Sequence, residues 1–310
     1  MTAMNTENAF IGDLKRQFKN GGTVVRLIFV NVLIFLIIGV FTVFVELGSA
    51  DETTSLYIGE IISKIFGLQP DPSDFVRHPW GIFTYMFTHY GILHLLFNMV
   101  FLYVAGRMFV QLLGEKRLLY TYIIGGIFGG LLEVIAHGLF PKLGLMNFPV
   151  VGASGSIMAI FVAVAFYRPQ MQISIFGLFN LRLVVIALLY ILADFLNLGK
   201  LDGTAHFAHL GGAIFGILSI QSLNSPGNVI NRVEQFINWI KGLFSGANRK
   251  KMKIKKGGQR PHRAKTDEQF NVEKKTKQDQ IDKILDKISK SGYESLSKKE
   301  RDFLFNQSKK

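Results

Sequence analysis

Residues 204–222 read TAHFAHLGGAIFGILSIQS. The run is apolar enough for a membrane helix, yet it opens on two histidines, His206 and His209. Imidazoles inside a bilayer segment are costly and default to a functional reading. Ala208, Gly212 and Gly216 recur at four-residue spacing, the signature of a helix that lets a neighbour's backbone come close. The stretch is therefore expected to be an inner helix of a packed bundle.

The partner expected for it is the run 152–168. It begins Gly152-Ala153-Ser154-Gly155 and carries its own small stripe at Gly155, Ala159 and Ala163. Four further runs, with approximate edges at 24–45, 88–112, 118–138 and 182–198, are apolar over the roughly 20 residues that a spanning helix needs. The fold class expected is an all-α polytopic membrane protein of six helices, its last three shorter or more polar and read as buried bundle helices. The first run exceeds the 7–15 residues of a signal-peptide core, although Gly48, Ser49 and Ala50 after it resemble a cleavage site.

Composition agrees with that division. The chain has 310 residues, is 49% hydrophobic and carries a net charge of +13. Residues 223–310 hold 22 of the 35 Lys and Arg and 10 of the 22 Asp and Glu, a local balance of +12. Cysteine is absent, which removes thiolate nucleophiles, disulfides and Cys-based metal sites. Four segments follow: 1–23 as an N-terminal arm, 24–222 as the six-helix core, 223–248 as an interfacial amphipathic helix, and 249–310 as a basic linker with a small helical hairpin.

The positive-inside rule sets the orientation. Lys15, Arg16, Lys19, Arg26, Arg107, Lys116, Arg117, Arg168 and Arg182 gather on the side of both termini; Lys64, Arg77, Lys142 and Lys200 lie opposite. Both termini are expected in the cytoplasm and the long acidic loop 46–79 outside. The basic run Arg249 to Lys265 is read as facing anionic lipid headgroups, or as a solvated linker, and not as a nucleic-acid surface. Ile281, Ile284, Leu285 and Ile288 make a stripe closed by Gly292, and Ser297 to Glu300 reads as a capping box.

In this orientation the second, fourth and sixth helices all start at the outer surface. His89, His94 and Asn98 open the second, Ser154 the fourth, and His206 and His209 the sixth, so these groups share one depth. Ser154 in a first helical turn meets unpaired backbone N–H groups and the positive end of the dipole. His209 lies beside its helix's small stripe and can face Ser154 as general base. His94 and Asn98, an i, i+4 pair, offer side-chain donors to an oxyanion. No carboxylate is placed by spacing to orient His209, so a dyad is expected. Each residue alone has a plainer account: Ser154 as packing, His209 as a buried satisfied histidine, Asn98 as interhelical glue, His89 as a hydrogen-bonding scaffold residue, His206 as a loop contact. The intramembrane carboxylates Glu133 and Asp194 are read as structural pairs within the bundle.

Three ordered motifs, His89-x4-His94-x3-Asn98, Gly152-x-Ser154-Gly155 and Ala208-His209-x-x-Gly212-x-x-x-Gly216, resemble those of the rhomboid family of intramembrane serine proteases, bacterial six-helix type. The likeness covers about residues 24–222. It implies a serine endopeptidase with Ser154 and His209 catalytic, His94 and Asn98 as oxyanion donors, and His89, Gly152, Gly155, Met158, Gly212 and Gly216 in support. It also implies transmembrane protein substrates and surrounding lipids as partners, no cofactor or metal, and a bacterial inner membrane with the active site opening outward. The fifth helix would be a lateral substrate gate. Trp80 is followed by Gly81 where the family often has Arg. Val110 stands where an acidic residue is common, and Met158 where an aromatic usually supports the histidine ring. Two rival functions are a catalytically silent rhomboid-like protein that binds membrane clients, and a metallohydrolase or transporter built on His89, His94, His206, His209 and Asp194.

Overall fold

The computed structural model describes residues 12, 15–48, 54–145, 148–175, 179–200, 202–244 and 267–308. The basic run 249–265, most of the N-terminal arm and Asp51 and Glu52 of the acidic loop lie outside those residues. The apolar runs form helices: α1 (Gly22–Gly48), α5 (Ile92–Leu113), α6 (Glu115–Leu139), α7 (Ser154–Tyr167), α8 (Leu183–Leu196) and α9 (His206–Ile220). Between α1 and α5 come α2 (Thr54–Phe66), α3 (Pro72–Arg77) and α4 (Gly81–Thr84), the last continued by a 3-10 turn at Tyr85–Phe87.

Three of these, α1, α5 and α6, are long and apolar enough to cross a membrane. The apolar helices α7, α8 and α9 have 14, 14 and 15 residues. At 1.5 Å per residue that is about 21–23 Å, short of a hydrocarbon core of about 30 Å.

The all-α expectation needs one correction. Gln172–Ile175 (β1) and Phe179–Arg182 (β2) pair antiparallel between α7 and α8, with Ser174 opposite Asn180. Both strands alternate polar and apolar residues, and that period of two suits a ribbon and not a helix.

The core centres on α7, whose residues from Gly155 to Ala165 are all buried. Small residues make this possible. A Cβ at Gly212 would run into the carbonyl oxygen of Gly155, and one at Gly216 would stand 2.5 Å from that of Ala159. Here α7 and α9 touch backbone to backbone. On the third side, a Cβ at Gly129 of α6 would lie 2.5 Å from the Ala208 carbonyl.

Some polar groups inside the bundle are paired across elements. Asn31 of α1 donates to the Tyr122 hydroxyl at 3.2 Å, and Tyr122 donates to the Met86 carbonyl at 3.0 Å. Beyond α9, α10 (Val229–Phe244) packs by Ile230 and is tied to the start of α6. Lys116 pairs with Glu234, and the Arg117 guanidinium reaches Asn231 Oδ1 at 2.9 Å and the Leu223 carbonyl at 3.0 Å. Phe236 and Trp239 stack on the exposed face of α10.

The chain divides into two compact units, Met1–Gly246 and Ala247–Lys310. The second holds α11 (Asp267–Ser291) and α12 (Lys298–Ser308). Gly292, at φ +74°, ends α11 in the left-handed region that glycine tolerates. Ile284 is buried, whereas Leu285 beside it is exposed. Ser297 Oγ and N both donate to Glu300 at 2.7 Å, as a capping box does, and Lys287 adds a bond at 3.1 Å. The Ser297 hydroxyl, with that N–H and Lys287, pulls the Glu300 carboxyl down to about 2.

Candidate active site

Two loops and the 3-10 turn at Tyr85 set the segment that leads to the nucleophile. Leu68 and Val150 exchange backbone hydrogen bonds at 2.9 and 2.8 Å, and the Gly152 N–H donates to the Tyr85 carbonyl at 2.9 Å. Gly152 has φ +127°, and a Cβ there would stand 2.8 Å from His94 Nε2, so only glycine fits on both counts. The chain then turns directly into α7, with Ser154 as its first residue. The opening N–H groups of that helix have no intrahelical acceptor.

Ser154 Oγ lies 2.8 Å from His209 Nε2. The serine is half-buried and the histidine buried. Both line a cavity of about 960 Å³ that also takes in His94, Asn98, Gly155, Met158 and His206. His94 stands over Gly152 from the first turn of α5. Asn98, one turn on, donates its side-chain amide to the His94 carbonyl at 2.9 Å, which uses one of its two N–H groups. A Cβ at Gly155 would stand 3.2 Å from the Ala208 carbonyl and 3.4 Å from the Tyr85 hydroxyl, so this position is a crossing point of α7 and α9.

One expectation about His209 needs correcting. A carboxylate does face it: Asp194 Oδ1, near the end of α8, is 3.1 Å from His209 Nδ1. Spacing did not find it because the two residues sit on different helices, 15 positions apart. The signal available was an intramembrane carboxylate that the structural-pair reading had already absorbed. Position 158, where the family usually has an aromatic, carries none here, and a ring approaches His209 from another helix instead. Met158 is buried without a ring, and Tyr190 of α8 lies with its ring centroid 6.0 Å from that of His209.

The same Asp194 oxygen is 2.7 Å from His206 Nδ1, and His206 Nε2 is 3.1 Å from Asp202 Oδ2 in the loop before α9. His206 therefore does make a loop contact, but it joins a buried carboxylate as well. Burial pushes the Asp202 carboxyl up, but bonds from the Thr204 N–H and from His206 outweigh this, and it lies below the usual carboxylate range. Glu133 pairs within the bundle, accepting the Ala208 N–H at 2.9 Å at the start of α9. His89 departs from its expected scaffold role. It is buried with its ring edge against His94, centroids 5.1 Å apart, and its ring nitrogens make no well-formed hydrogen bond among the described residues.

The class defined so far is a bundle of apolar, membrane-type helices with a serine–histidine hydrogen bond at the mouth of its innermost pair. Residues 76–223, from the end of α3 to just past α9, match the Rhomboid domain. Residues 264–310 match a family of unknown function, DUF6576. Similar proteins include presenilin-associated rhomboid-like protein A, mitochondrial, of Danio rerio, 33% identical over 42% of this chain and 34% of the relative. Rhomboid-like protease 3 of Toxoplasma gondii is 26% identical over 54% of this chain and 59% of the relative. RHOMBOID-like protein 1 of Arabidopsis thaliana is 32% identical over 45% and 33%. The chain thus spans between a third and three-fifths of the length of these relatives. All three are eukaryotic, so the likeness reaches the domain without singling out the bacterial six-helix type.

Proposed function

We propose that the chain is an intramembrane serine endopeptidase that cuts in or near transmembrane segments of other proteins. The observation that carries this reading is the 2.8 Å contact between Ser154 Oγ and His209 Nε2, two residues that line one cavity. Ser154 attacks the scissile carbonyl while His209 Nε2 takes its proton. The oxyanion develops against the first-turn N–H of α7, with the His94 ring and the second amide N–H of Asn98 as further donors. His209 then returns the proton to the leaving amine, and water hydrolyses the acyl-enzyme with His209 again as base. Asp194 at Nδ1 favours the tautomer that leaves Nε2 free to accept and stabilises the imidazolium, so the dyad has a third member. An intact substrate helix hides its carbonyls, so cleavage falls where the helix unwinds.

Six spans, with α7, α8 and α9 crossing a locally thinner layer or tilted beside longer neighbours, fit this reading. Both termini would then lie on the basic, cytoplasmic side, with Phe236 and Trp239 of α10 at the interface and lipids around the bundle. A bacterial inner membrane follows from the six-helix resemblance alone. The segment boundaries 24–222, 223–248 and 249–310 belong to the same reading.

The test is cleavage of a tagged transmembrane substrate by the full chain in liposomes, against Ser154→Ala and His209→Ala. Both variants should lose the product, by about 10⁴-fold or more, and a chelator should not reduce wild-type cleavage. Cleavage that survives Ser154→Ala would remove the serine mechanism. Failure of every form on several substrates would favour the silent client-binding protein.

A further inference from the structure

The site has a feature that the protease reading leaves over. Asp194 is 5% exposed, and while its Oδ1 serves two histidines, its Oδ2 is buried with no hydrogen-bond partner among the described residues. A buried, unsatisfied carboxylate oxygen is expensive. Its carboxylate belongs to a group of three buried side chains, Asp194, His206 and His209, one ligand-capable atom of each lying within 4.8 Å of the others.

We propose that Asp194, His206 and His209 form an inhibitory site for a divalent transition ion of the zinc type. Two imidazoles and one carboxylate are a donor set that zinc accepts, and the remaining coordination position can hold water from the cavity that His206 and His209 line. The outer ring of contacts points the same way. A metal-binding histidine commonly turns its other nitrogen to a carboxylate, and His206 Nε2 meets Asp202 at 3.1 Å. Asp202 has a side chain 42% exposed, which gives the site a solvent-facing edge. The present contacts of 2.7 and 3.1 Å are those of hydrogen bonds. Ligands on zinc at about 2.0–2.1 Å stand roughly 3.3 Å apart, so Asp194 needs to back away by about 0.6 Å from His206 and about 0.2 Å from His209. The histidine nitrogens close in by turning their rings, which lie one helical turn apart on α9.

The metal reading of the sequence pooled five residues, of which the structure brings three together. His206 and His209 are an i, i+3 pair on α9, and the third ligand comes from α8.

The consequence follows from proton position. With Asp194 at Nδ1, His209 carries its proton there and Nε2 can accept from Ser154. An ion on Nδ1 moves that proton to Nε2, where it faces Ser154 Oγ as a donor. The base is then blocked while the fold is untouched. This inhibition rests on the protease reading; occupancy of the site does not.

The experiment therefore has two arms on the full-length chain. In the first, cobalt(II) is titrated into detergent-solubilised Ser154→Ala and followed by visible absorption, with Asp194→Asn and His206→Gln added to the same background. The chain has no cysteine, so thiolates cannot contribute to the spectrum. A tetrahedral cobalt band should appear and vanish in both added variants. A band that survives them, or no band, overturns the site. In the second arm, zinc is titrated against substrate cleavage, each form normalised to its own metal-free rate. Wild type should lose at least about tenfold and recover with chelator, while Asp202→Asn should need about 10–100-fold more zinc. Inhibition unchanged in Asp202→Asn and His206→Gln would overturn the proposal. If no form cleaves substrate, the protease reading fails while the cobalt arm still decides the metal site.

Discussion

Helices α7 and α8 are both 14 residues long and both almost wholly apolar, yet their burial is opposite. In α7 the eleven residues from Gly155 to Ala165 are all enclosed by protein; in α8 only Leu183, Ala187 and Asp194 are. Hydropathy cannot distinguish them. Side-chain size can: α7 intersperses Gly, Ser and Ala, which let α9 touch its backbone, whereas α8 is dense in Leu, Ile and Val, which hold neighbours off. An inner helix contributes its backbone and its opening N–H groups. An outer helix contributes through one face, and in α8 that face carries Asp194.

Three substitutions probe this contrast, in falling order of effect. Asp194→Asn keeps the shape but offers an amide to His209 Nδ1, favouring the wrong tautomer. The turnover rate should fall by roughly 10²–10⁴-fold with little change in KM, read by cleavage kinetics. A rate within a few-fold of wild type would make Asp194 no more than a packing group, and α8 a lipid-facing wall. Gly212→Ala tests the inner contact. Its Cβ meets the Gly155 carbonyl, so α7 and α9 must separate and the Ser154–His209 contact opens. An overpacking cost of about 1–3 kcal/mol and an activity loss of about 10²-fold are expected, from thermal unfolding in detergent and from active-site serine labelling. Unchanged labelling would mean that this seam does not hold the pair in register. Leu189→Ala, at a position of α8 that is 58% exposed, should shift stability by no more than about 0.5 kcal/mol. A larger loss would show that α8 is packed against something on its outer face.

The corrections to the sequence reading fall along the same line. His94, Ser154 and His209 were legible because each sits at the start of a helix whose extent is written in its own hydropathy. Gly152, Gly155, Gly212 and Gly216 were legible because close backbone approach demands their size. The hairpin β1–β2 was passed over because eight alternating residues are a weak signal beside runs of twenty. Asp194 was seen but assigned to structural pairing, and Tyr190 was not seen, because both act on His209 from another helix.

By itself, then, the sequence determined the order of the six apolar helices, the segregation of a basic tail, and the residues that open α5, α7 and α9, while the short helices α2 and α3 inside the expected loop 46–79 went unread. Local propensity and burial of apolar surface act along the chain and can be read along it. Only the tertiary structure decided that Asp194 faces both His206 and His209 and that the Tyr190 ring of α8 lies beside His209. Those contacts depend on the relative rotation of α8 and α9 about their axes. That rotation is set by the packing of every side chain between them, and no spacing within one segment encodes it.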